Sequence, residues 1–583
     1  ATRAGLSPQE ASEDEVGCGG ISLVDANDLN VALKDVDLGA IPVHLNAGYD
    51  ALPLAALYIE AVRRTDQDLR SLTGDITADP IGQWIARGQL PAPLATLYDS
   101  LATWTTWAES SAPGLRTVAV DARLWSNAGG TATQELAFAL ATAVDYLRAL
   151  EARNVLMSVA APRMDFAFAI GPQFFTEVAK LRAFRPLWTR VLTAFGLAPE
   201  AAAGASVGAA TGTLNKTLLD PHVNLLRVTT EALSAVLGGC DRLHIAPFDE
   251  VAGTTNEFSR RIARNIHPLL AEEFSFAETA DAAGGSWYVE KLTDELAKAA
   301  WILFQEIERR GGMAAALRDG YPQGLIEKAM TEKRDAVAKR RVALVGTNLF
   351  PNLRETPLEN NRRTSSQRNL PTSRWSGAGE LAETVQSFNS STRFSAALNA
   401  ARDGATIGQL RQVTRGANAS CETIAPVIPK RVAEDFESLR LASMEFARRA
   451  GARPRVFLAR MGPLNQHKAR ADFSVGFFAV GGFEVIGKQS FASAEEAAAT
   501  AIGSNAEIVV LCSSDETYPA LVPAFAAAVR GGASRSIIVL AGLPADSATV
   551  ATFRGCGIDE FIHLRANVHE VLAGCLKKLE TNR

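Results

Sequence analysis

Residues 117–151, TVAVDARLWSNAGGTATQELAFALATAVDYLRALE, contain the pattern that decides the fold. Thr117–Asp121 is a short apolar run of the kind that forms a buried strand. Gln134–Glu151 then places apolar side chains at three- and four-residue spacing, which predicts an amphipathic helix. These side chains are Leu136, Leu140, Val144, Leu147 and Leu150. A strand followed by a helix is one βα unit, and a series of such units builds a parallel sheet.

The same alternation extends in both directions, from Gly20 to about residue 347. Eight apolar runs are predicted as strands: Ile21–Val24, Ile41–Leu45, Ser71–Ile76, Thr117–Asp121, Leu156–Ala160, Gly204–Ala209, Arg242–Ala246 and Phe274–Glu278. Further helices are predicted at Phe174–Phe195 and Asp294–Arg310. Eight βα units in this length predict an enlarged (β/α)8 barrel. An open, doubly wound sheet is the alternative.

A polar segment interrupts the alternation at Asn348. Residues 348–393 are rich in proline, asparagine and serine, which predicts a linker. Its basic cluster, Arg362, Arg363 and Arg368, is interpreted as solvated linker charge, with a phosphate contact as the alternative. Residues 394–450 follow as a predicted helical spacer. Its apolar positions are Phe394, Leu398, Ile407, Leu410 and Val413.

The remaining residues predict a second α/β unit. Its predicted strands are Val456–Ala459, Phe483–Ile486, Ile508–Cys512, Ile537–Ala541 and Glu560–His563, each followed by a helical segment. Five strands and five helices are typical of a flavodoxin-like, doubly wound domain, whose ligands bind at the carboxyl ends of the strands. The predicted division is therefore a stub at 1–19, a barrel at 20–347, linker and spacer at 348–450, and a flavodoxin-like domain at 451–583.

The composition argues against several classes of function. Lys and Arg number 59 against 64 Asp and Glu, so a formal net charge of −5 gives no reason to expect nucleic-acid or polybasic membrane binding. The six cysteines, Cys18, Cys240, Cys421, Cys512, Cys556 and Cys575, form no C-x-x-C pair, which predicts reduced thiols in a cytoplasmic protein. The sequence has no 18-residue apolar run and no signal-peptide core, so neither is predicted.

Few residues carry chemistry in this pattern. No two of the seven histidines have the i, i+4 spacing of a zinc-binding helix, so no metal site is predicted. No phosphate-binding glycine motif occurs either. His44 is interpreted as a core or strand-end histidine. His244 ends a predicted strand and precedes Asp249, a position at the catalytic rim of a barrel. Gly284-Gly285-Ser286 is either a phosphate site or a simple turn.

Several ungapped runs resemble the coenzyme-B12-dependent acyl-CoA mutases, specifically the methylmalonyl-CoA mutase family. They are Ala161-Pro162-Arg163, Phe175–Arg182 (FTEVAKLR), Phe258–Asn265 (FSRRIARN), Gly285–Lys291 (GSWYVEK), Gly311-Gly312-Met313 and Arg453–Gly462 (RPRVFLARMG). The likeness extends from about residue 20 to the end. It implies a barrel, a linker and a cobalamin-binding-type domain, and the absence of the family's N-terminal arm.

The second unit departs from the family's cobalamin loop. The family carries Asp-x-His-x-x-Gly after the first strand, where the histidine ligates cobalt from below and the aspartate orients it. Here Leu464 replaces the aspartate, Gln466 the histidine and Ala469 the glycine. His467 lies one position late and is interpreted as either a shifted ligand or an exposed loop histidine. Two further cofactor loops read Cys512-Ser513-Ser514 and Ala541-Gly542 where the family has Ser-x-Leu and Gly-Gly.

The barrel departs in the same way. Arg123 and Leu124 replace a Tyr-His pair of the catalytic members, and Thr77 and Ala78 replace a Gln-Asn pair. Val207-Gly208-Ala209-Ala210 replaces a Thr-His-Ser-Gln stretch, whereas His244 and Asp249 match the family. We therefore predict no catalytic residue, no metal ligand and no bound cofactor in this chain, and His467 is the candidate for a cofactor contact.

With functional residues of the family replaced in both domains, the chain resembles the small, non-catalytic subunit of a heterodimeric methylmalonyl-CoA mutase. The resemblance implies a homologous large subunit as partner, which binds adenosylcobalamin and interconverts methylmalonyl-CoA and succinyl-CoA, with acyl-CoA possible in the complex. Two alternatives stay open. The chain could be a self-sufficient B12-dependent mutase with remodelled loops, or an interaction protein that binds neither CoA nor cobalamin.

Overall fold

A computed structural model describes Thr2 and residues 20–65, 67–253, 255–276, 278–355, 357–358, 389–414, 421–532 and 535–581. The strands of these residues are β1 (Val43–Gly48), β2 (Gly74–Ala78), β3 (Leu115–Asp121), β4 (Met164–Ile170), β5 (Ser206–Thr211), β6 (Arg242–His244), β7 (Arg455–Met461), β8 (Glu484–Ile486), β9 (Ser490–Phe491), β10 (Ile508–Cys512), β11 (Ile537–Ala541) and β12 (Glu560–Ile562). They form two sheets, β1–β6 in a first unit and β7–β12 in a second.

Helices surround both sheets. Those before β7 are α1 (Ala26–Ala32), α2 (Leu52–Arg63), α3 (Pro80–Arg87), α4 (Leu94–Ser111), α5 (Arg123–Asn127), α6 (Ala132–Glu151), α7 (Met157–Ala160), α8 (Phe174–Ala194), α9 (Val223–Leu237), α10 (Glu257–Pro268), α11 (Trp287–Arg309), α12 (Met313–Arg318), α13 (Tyr321–Ala338), α14 (Ser390–Arg402), α15 (Ile407–Thr414) and α16 (Glu434–Ala450). Those after β7 are α17 (Leu464–Ala479), α18 (Ala494–Gly503), α19 (Tyr518–Gly531), α20 (Ser547–Gly555) and α21 (Val568–Thr581). In the described part of the chain, none of these helices has the length and apolarity that a membrane crossing requires.

The first sheet is parallel and its strands follow chain order from β1 to β6. In a doubly wound sheet the order of the strands reverses at one point, so that alternative is wrong for this unit. The edge strands of a flat sheet this size would lie about 24 Å apart, at about 4.8 Å per strand. Instead His44 Nδ1 of β1 lies 3.2 Å from Arg242 Nη1 of β6. The sheet therefore curls until its two edges meet through their side chains.

Three of the eight predicted barrel strands are wrong. Ile21–Val24 pairs with no described strand, Leu156–Ala160 contains the helix α7, and the described residues of Phe274–Glu278 follow a π-helical turn at Leu269–Glu273. The strand β4 lies instead at Met164–Ile170, which the pattern missed. Pro162 explains the shift, because its fixed φ suits the turn Ala161–Arg163 that prolongs α7 and delays the strand. The described residues thus contain six strands of the expected eight.

The predicted spacer is part of the first unit's core rather than a connection between units. Helices α14 and α15 pack on α2, and Phe394, Ile407, Leu410 and Val413 are buried in the same apolar cluster as the sheet. The Phe394 ring lies 5.9 Å from Trp104 and 5.8 Å from Trp107. The arginine cluster at 362, 363 and 368 lies outside the described residues.

Residues 422–432, which we call the strap, cross the carboxyl side of the first sheet in an extended path. Backbone amides of the strap donate to carbonyl groups in segments that follow three different strands: Ile424 to Gly88 at 2.8 Å, Val427 to Ile85 at 2.9 Å, Lys430 to Asn127 at 3.2 Å and Val432 to Leu214 at 2.9 Å. The strap therefore ties together helix α3 after β2, helix α5 after β3 and the loop after β5.

The second sheet has the order β12-β11-β10-β7-β8, with the two-residue β9 also paired to β7. Without β9 the second sheet has five strands. Numbered 1 to 5 along the chain from β7, they lie in the order 2-1-3-4-5 of a flavodoxin-like sheet. All five predicted strands are confirmed in position. The helix α16, predicted as the end of the spacer, packs on α21 and buries Phe436, Leu439 and Phe446 in the second unit's core.

Candidate functional site

The end of β3 holds a closed ion pair. Arg123 begins the short helix α5, and its Nε and Nη2 each lie 2.7 Å from an oxygen of Asp121, the last residue of β3. The nearby Asp121 carboxylate raises the pKa of Arg123. The neighbouring Leu124 is partly buried against the apolar core. At the position where the sequence predicts that Arg123 and Leu124 replace a Tyr-His pair, the structure thus has an ion-paired guanidinium and an alkyl group, which exchange no protons.

The other replaced barrel positions lie within strands. Thr77 and Ala78 end β2, and residues 207–210 occupy the middle of β5, all of them buried. These strands are the second and fifth of the structure but the third and sixth of the predicted series, because Ile21–Val24 is not a strand. These residues fill the sheet's carboxyl half with small side chains, and only Thr77 among them can donate a hydrogen bond from its side chain.

The two matched rim residues, His244 and Asp249, are placed differently from each other. His244 is the last residue of β6 and is exposed. Partial desolvation of the imidazole and the positive charge of Arg123 lower its pKa. Asp249 is 2% exposed, and its Oδ1 has no hydrogen-bond partner among the described residues. No hydrogen bond within that part of the chain joins the two side chains. They lie on one rim without forming an acid–base pair.

Sequence reasoning missed a buried ion pair beside this rim. Lys216, in the loop after β5, lies 2.6 Å from Glu231 of α9, and Asn215 donates to the same carboxylate at 2.8 Å. Burial lowers the pKa of Lys216 and raises that of Glu231. A single lysine in the otherwise uncharged stretch 205–219 was the available signal. The pairing with Glu231 required the fold.

A second missed cluster closes the amino end of the curled sheet. Arg242 Nε donates to Ser206 at 3.1 Å, Nη1 lies 3.2 Å from Asp75, and Nη2 pairs with Asp165. His44, confirmed as a strand residue of β1, pairs with the same Asp75. Side chains of β1, β2, β4, β5 and β6 thus meet in one network, which occupies the interior at this end.

The expected cofactor loop of the second unit is a helix. Leu464 is the first residue of α17, and Gln466 and Ala469 lie in its first two turns. Gly462, at φ 77°, allows this tight start, because a Cβ there would meet the Gln466 side chain. His467 was expected to be a shifted ligand or an exposed loop residue. It is instead helical and 1% exposed, and its Nε2 lies 2.9 Å from Ser490 Oγ.

Side chains of this chain also fill the carboxyl edge of the second sheet beside β10 and β11. Tyr518 Oη donates to Ala541 O at 2.6 Å and accepts from Ser513 N at 3.0 Å. Arg470 donates to the same Ala541 O at 2.7 Å, and its guanidinium lies 5.0 Å from the Tyr518 ring. Next to Ala541, Gly542 has its Cα so close to Arg470 that a Cβ would overlap the guanidinium. The loops after β10 and β11 are therefore closed over one another.

These observations do not fit a cobalamin held from below by an imidazole. Of the His467 ring nitrogens, Nε2 is engaged by Ser490, and Nδ1 is buried without a partner among the described residues. The space beside Ala541 is occupied by Tyr518 and Arg470. Within the described residues, no three His, Cys, Asp or Glu side chains are grouped as metal ligands would be.

Comparisons with known proteins agree with this architecture. The methylmalonyl-CoA mutase family profile matches residues 1–419. The chain is 34% identical to the methylmalonyl-CoA mutase small subunit of Streptomyces virginiae over 94% of this chain and 78% of that protein. It is 31% identical to the small subunit of Porphyromonas gingivalis, over 94% and 79% of the two chains. It is 30% identical to the methylmalonyl-CoA mutase of Rhizobium meliloti, over 91% and 77%. The chain belongs to the methylmalonyl-CoA mutase family.

Proposed function

We propose that this chain is the non-catalytic small subunit of a heterodimeric methylmalonyl-CoA mutase. It pairs in the cytoplasm with a homologous large subunit, which binds adenosylcobalamin and interconverts methylmalonyl-CoA and succinyl-CoA. The observation that carries the proposal is the second unit's carboxyl edge. There α17 replaces the Asp-x-His-x-x-Gly loop, and Tyr518 and Arg470 occupy the neighbouring crevice. The names of the small-subunit relatives support the same assignment.

The first unit supports the proposal because the side chains at its carboxyl rim are unsuited to act on a substrate. Arg123 is held by Asp121, and Leu124, Ala78 and Ala209 offer neither a proton nor a side-chain hydrogen bond. In this proposal the curled sheet is a (β/α)8-class barrel at 20–347, and the domain at 451–583 is a degenerate cobalamin-binding type. The barrel supports its partner rather than catalysing the rearrangement itself.

Pairing of two similar folds gives the inactive barrel a physical role. A pseudo-two-fold arrangement of like subunits creates an extensive self-complementary interface. Such an interface holds the partner's barrel in the closed state that excludes water and protects a radical. Acyl-CoA then belongs to the complex through the large subunit.

Co-purification tests the proposal. We expect this chain to co-purify with a homologous large subunit that carries an intact Asp-x-His-x-x-Gly loop. After separation, hydroxocobalamin should bind the large subunit and leave this chain colourless in its visible spectrum. Removal of this chain should lower the large subunit's activity or stability.

Three results would contradict the proposal. A red, cobalamin-bound sample of this chain alone would favour the self-sufficient mutase. Failure of the two chains to associate would favour an interaction protein with another partner. Full activity and stability of the large subunit on its own would remove the supporting role.

A further inference from the structure

A cavity of about 230 Å³ lies against the outer side of β6. Side chains alternate between the two faces of a strand. Arg242 and His244 therefore share the inner face, where Arg242 reaches Asp75 and Asp165, and Leu243 faces outward. The cavity's main lining residues are Val236, Cys240, Leu243, His267, Leu270 and Phe276. It is therefore separate from the rim site and from the interior of the curled sheet.

The cavity lies at an edge strand of the first sheet. β6 pairs with β5, and the described residues place no strand on its other side. Helix α10 and the following π-helical turn cover this edge through a small apolar cluster that includes Ala263, Ile266 and Leu270. The cavity lies beside this cluster, where the cover over Leu243 is incomplete.

The charged groups at the cavity are already paired with other groups. Asp241 accepts from Val207 N at 2.7 Å and from Arg185 at 3.1 Å. Arg242 is engaged by Ser206, Asp75 and Asp165. A charged ligand would find no unpaired counter-charge at this wall.

Two neutral polar groups remain at the cavity wall. The His267 imidazole is exposed at the cavity wall and makes no hydrogen bond to any described residue, and neighbouring protein atoms lower its pKa. Burial also raises the pKa of the Cys240 thiol to about 11, so the thiol is protonated. An uncharged imidazole can both donate and accept one hydrogen bond.

We propose that this cavity is a binding site for a small, uncharged, mainly apolar molecule with one hydroxyl or carbonyl group that pairs with His267. The volume of this half-open recess suits such a molecule, since an apolar cavity of about 150 Å³ is large enough for benzene. This site goes beyond the proposed supporting role and does not depend on it.

Ligand-observed ¹⁹F NMR on the full chain tests the site with three probes. The probes are 4-fluorobenzyl alcohol, fluorobenzene and the charged 4-fluorobenzoate. We expect saturable binding of the alcohol, weaker binding of fluorobenzene and none of the benzoate. Ala271→Phe, which fills the cavity from its wall, should weaken binding at least tenfold. Ala152→Phe, at an exposed helix end, is the matched control and should leave binding unchanged.

Two further measurements keep the test independent of folding. His267→Leu should weaken binding of the alcohol more than binding of fluorobenzene. In the unmodified chain, 4-fluorobenzyl alcohol should slow N-ethylmaleimide alkylation of Cys240 and leave the rate at Cys556 unchanged. Absence of alcohol binding, equal binding of the benzoate, or an unchanged Cys240 rate at saturating alcohol would each overturn the proposal.

Discussion

At the scale of single residues, the first unit depends on fully buried charges. Lys180 of α8 is 0% exposed and lies 2.7 Å from Glu135 of α6 and 2.5 Å from Glu177. It also donates to Ala169 O of β4 at 2.5 Å. Burial raises the pKa of Glu135 to about 7. One ammonium thus joins two helices and a strand.

Lys180→Met should destabilise the first unit strongly. It leaves two buried carboxylates without a counter-ion, a change that costs about 3–5 kcal/mol. The raised pKa lets the folded state bind a proton between about pH 4.3 and 7 where the unfolded chain does not, so stability falls as pH rises through this window. The cost should therefore be smaller at pH 5 than at pH 8. Urea unfolding followed by tryptophan fluorescence measures it, because every described tryptophan lies in the first unit.

Lys291→Met is the matched control for this change. The Lys291 side chain is 77% exposed on α11, so its loss should alter the free energy of unfolding by less than about 0.5 kcal/mol. Equal urea midpoints for the two variants would show that the buried network contributes little.

At the scale of elements, the strap is the clearest departure from the sequence-based expectation. Val427 is 5% exposed, belongs to the first unit's apolar core, and bonds through its amide to Ile85 O. Its neighbour Ile428 is 61% exposed. The sequence pattern predicts a helical spacer for these residues. The hydrogen bonds of this extended segment go to distant parts of the chain, so no local sequence pattern predicts its path.

Val427→Ala should lower the stability of the first unit by about 1.5 kcal/mol, the cost of removing two buried methyl groups. Ile428→Ala removes more carbon from an exposed position and should change stability by less than about 0.5 kcal/mol. Tryptophan fluorescence in urea distinguishes them. A larger effect of Ile428→Ala would mean that the strap does not cover the sheet as described.

At the scale of the whole molecule, polar contacts couple the two units. Glu437 of α16 is 2% exposed, accepts from Leu218 N at 2.5 Å and pairs with Arg431 at 2.7 Å. Leu218 lies in the loop after β5, close to Lys216. One carboxylate from the second unit's core helix thus fixes a loop on the first unit's rim.

Glu437→Ala should weaken the coupling of the two units. It leaves the Leu218 amide without its acceptor and removes the Arg431–Glu437 ion pair, at a cost of about 2–4 kcal/mol. Arg431 keeps its contacts with Lys216 O and Glu434. In urea, tryptophan fluorescence follows the first unit and alkylation of the buried Cys512 follows the second. The two midpoints should move apart in this variant. Glu445→Ala, on the same helix and 47% exposed, should leave both midpoints in place, and an identical response of the two variants would contradict the coupling.

The sequence by itself determined the class of fold, the five strands of the second unit and the family. These follow from local patterns: apolar runs, helical spacing and ungapped motifs that involve neighbouring residues. It also predicted replaced positions at Leu464, Gln466, Leu124 and Ala209, because the absence of a functional group can be predicted without coordinates.

Only the tertiary structure decided how those positions are filled. The burial of His467 against Ser490, the closure of the crevice by Tyr518 and Arg470, and the network around Arg242 all join residues far apart in the chain. The apolar side chains of the spacer likewise gave no sign of where they would pack. A periodic pattern indicates that one face of a helix or strand is buried, but three-dimensional packing decides which element buries it. The same packing decides which polar groups stay accessible at the site.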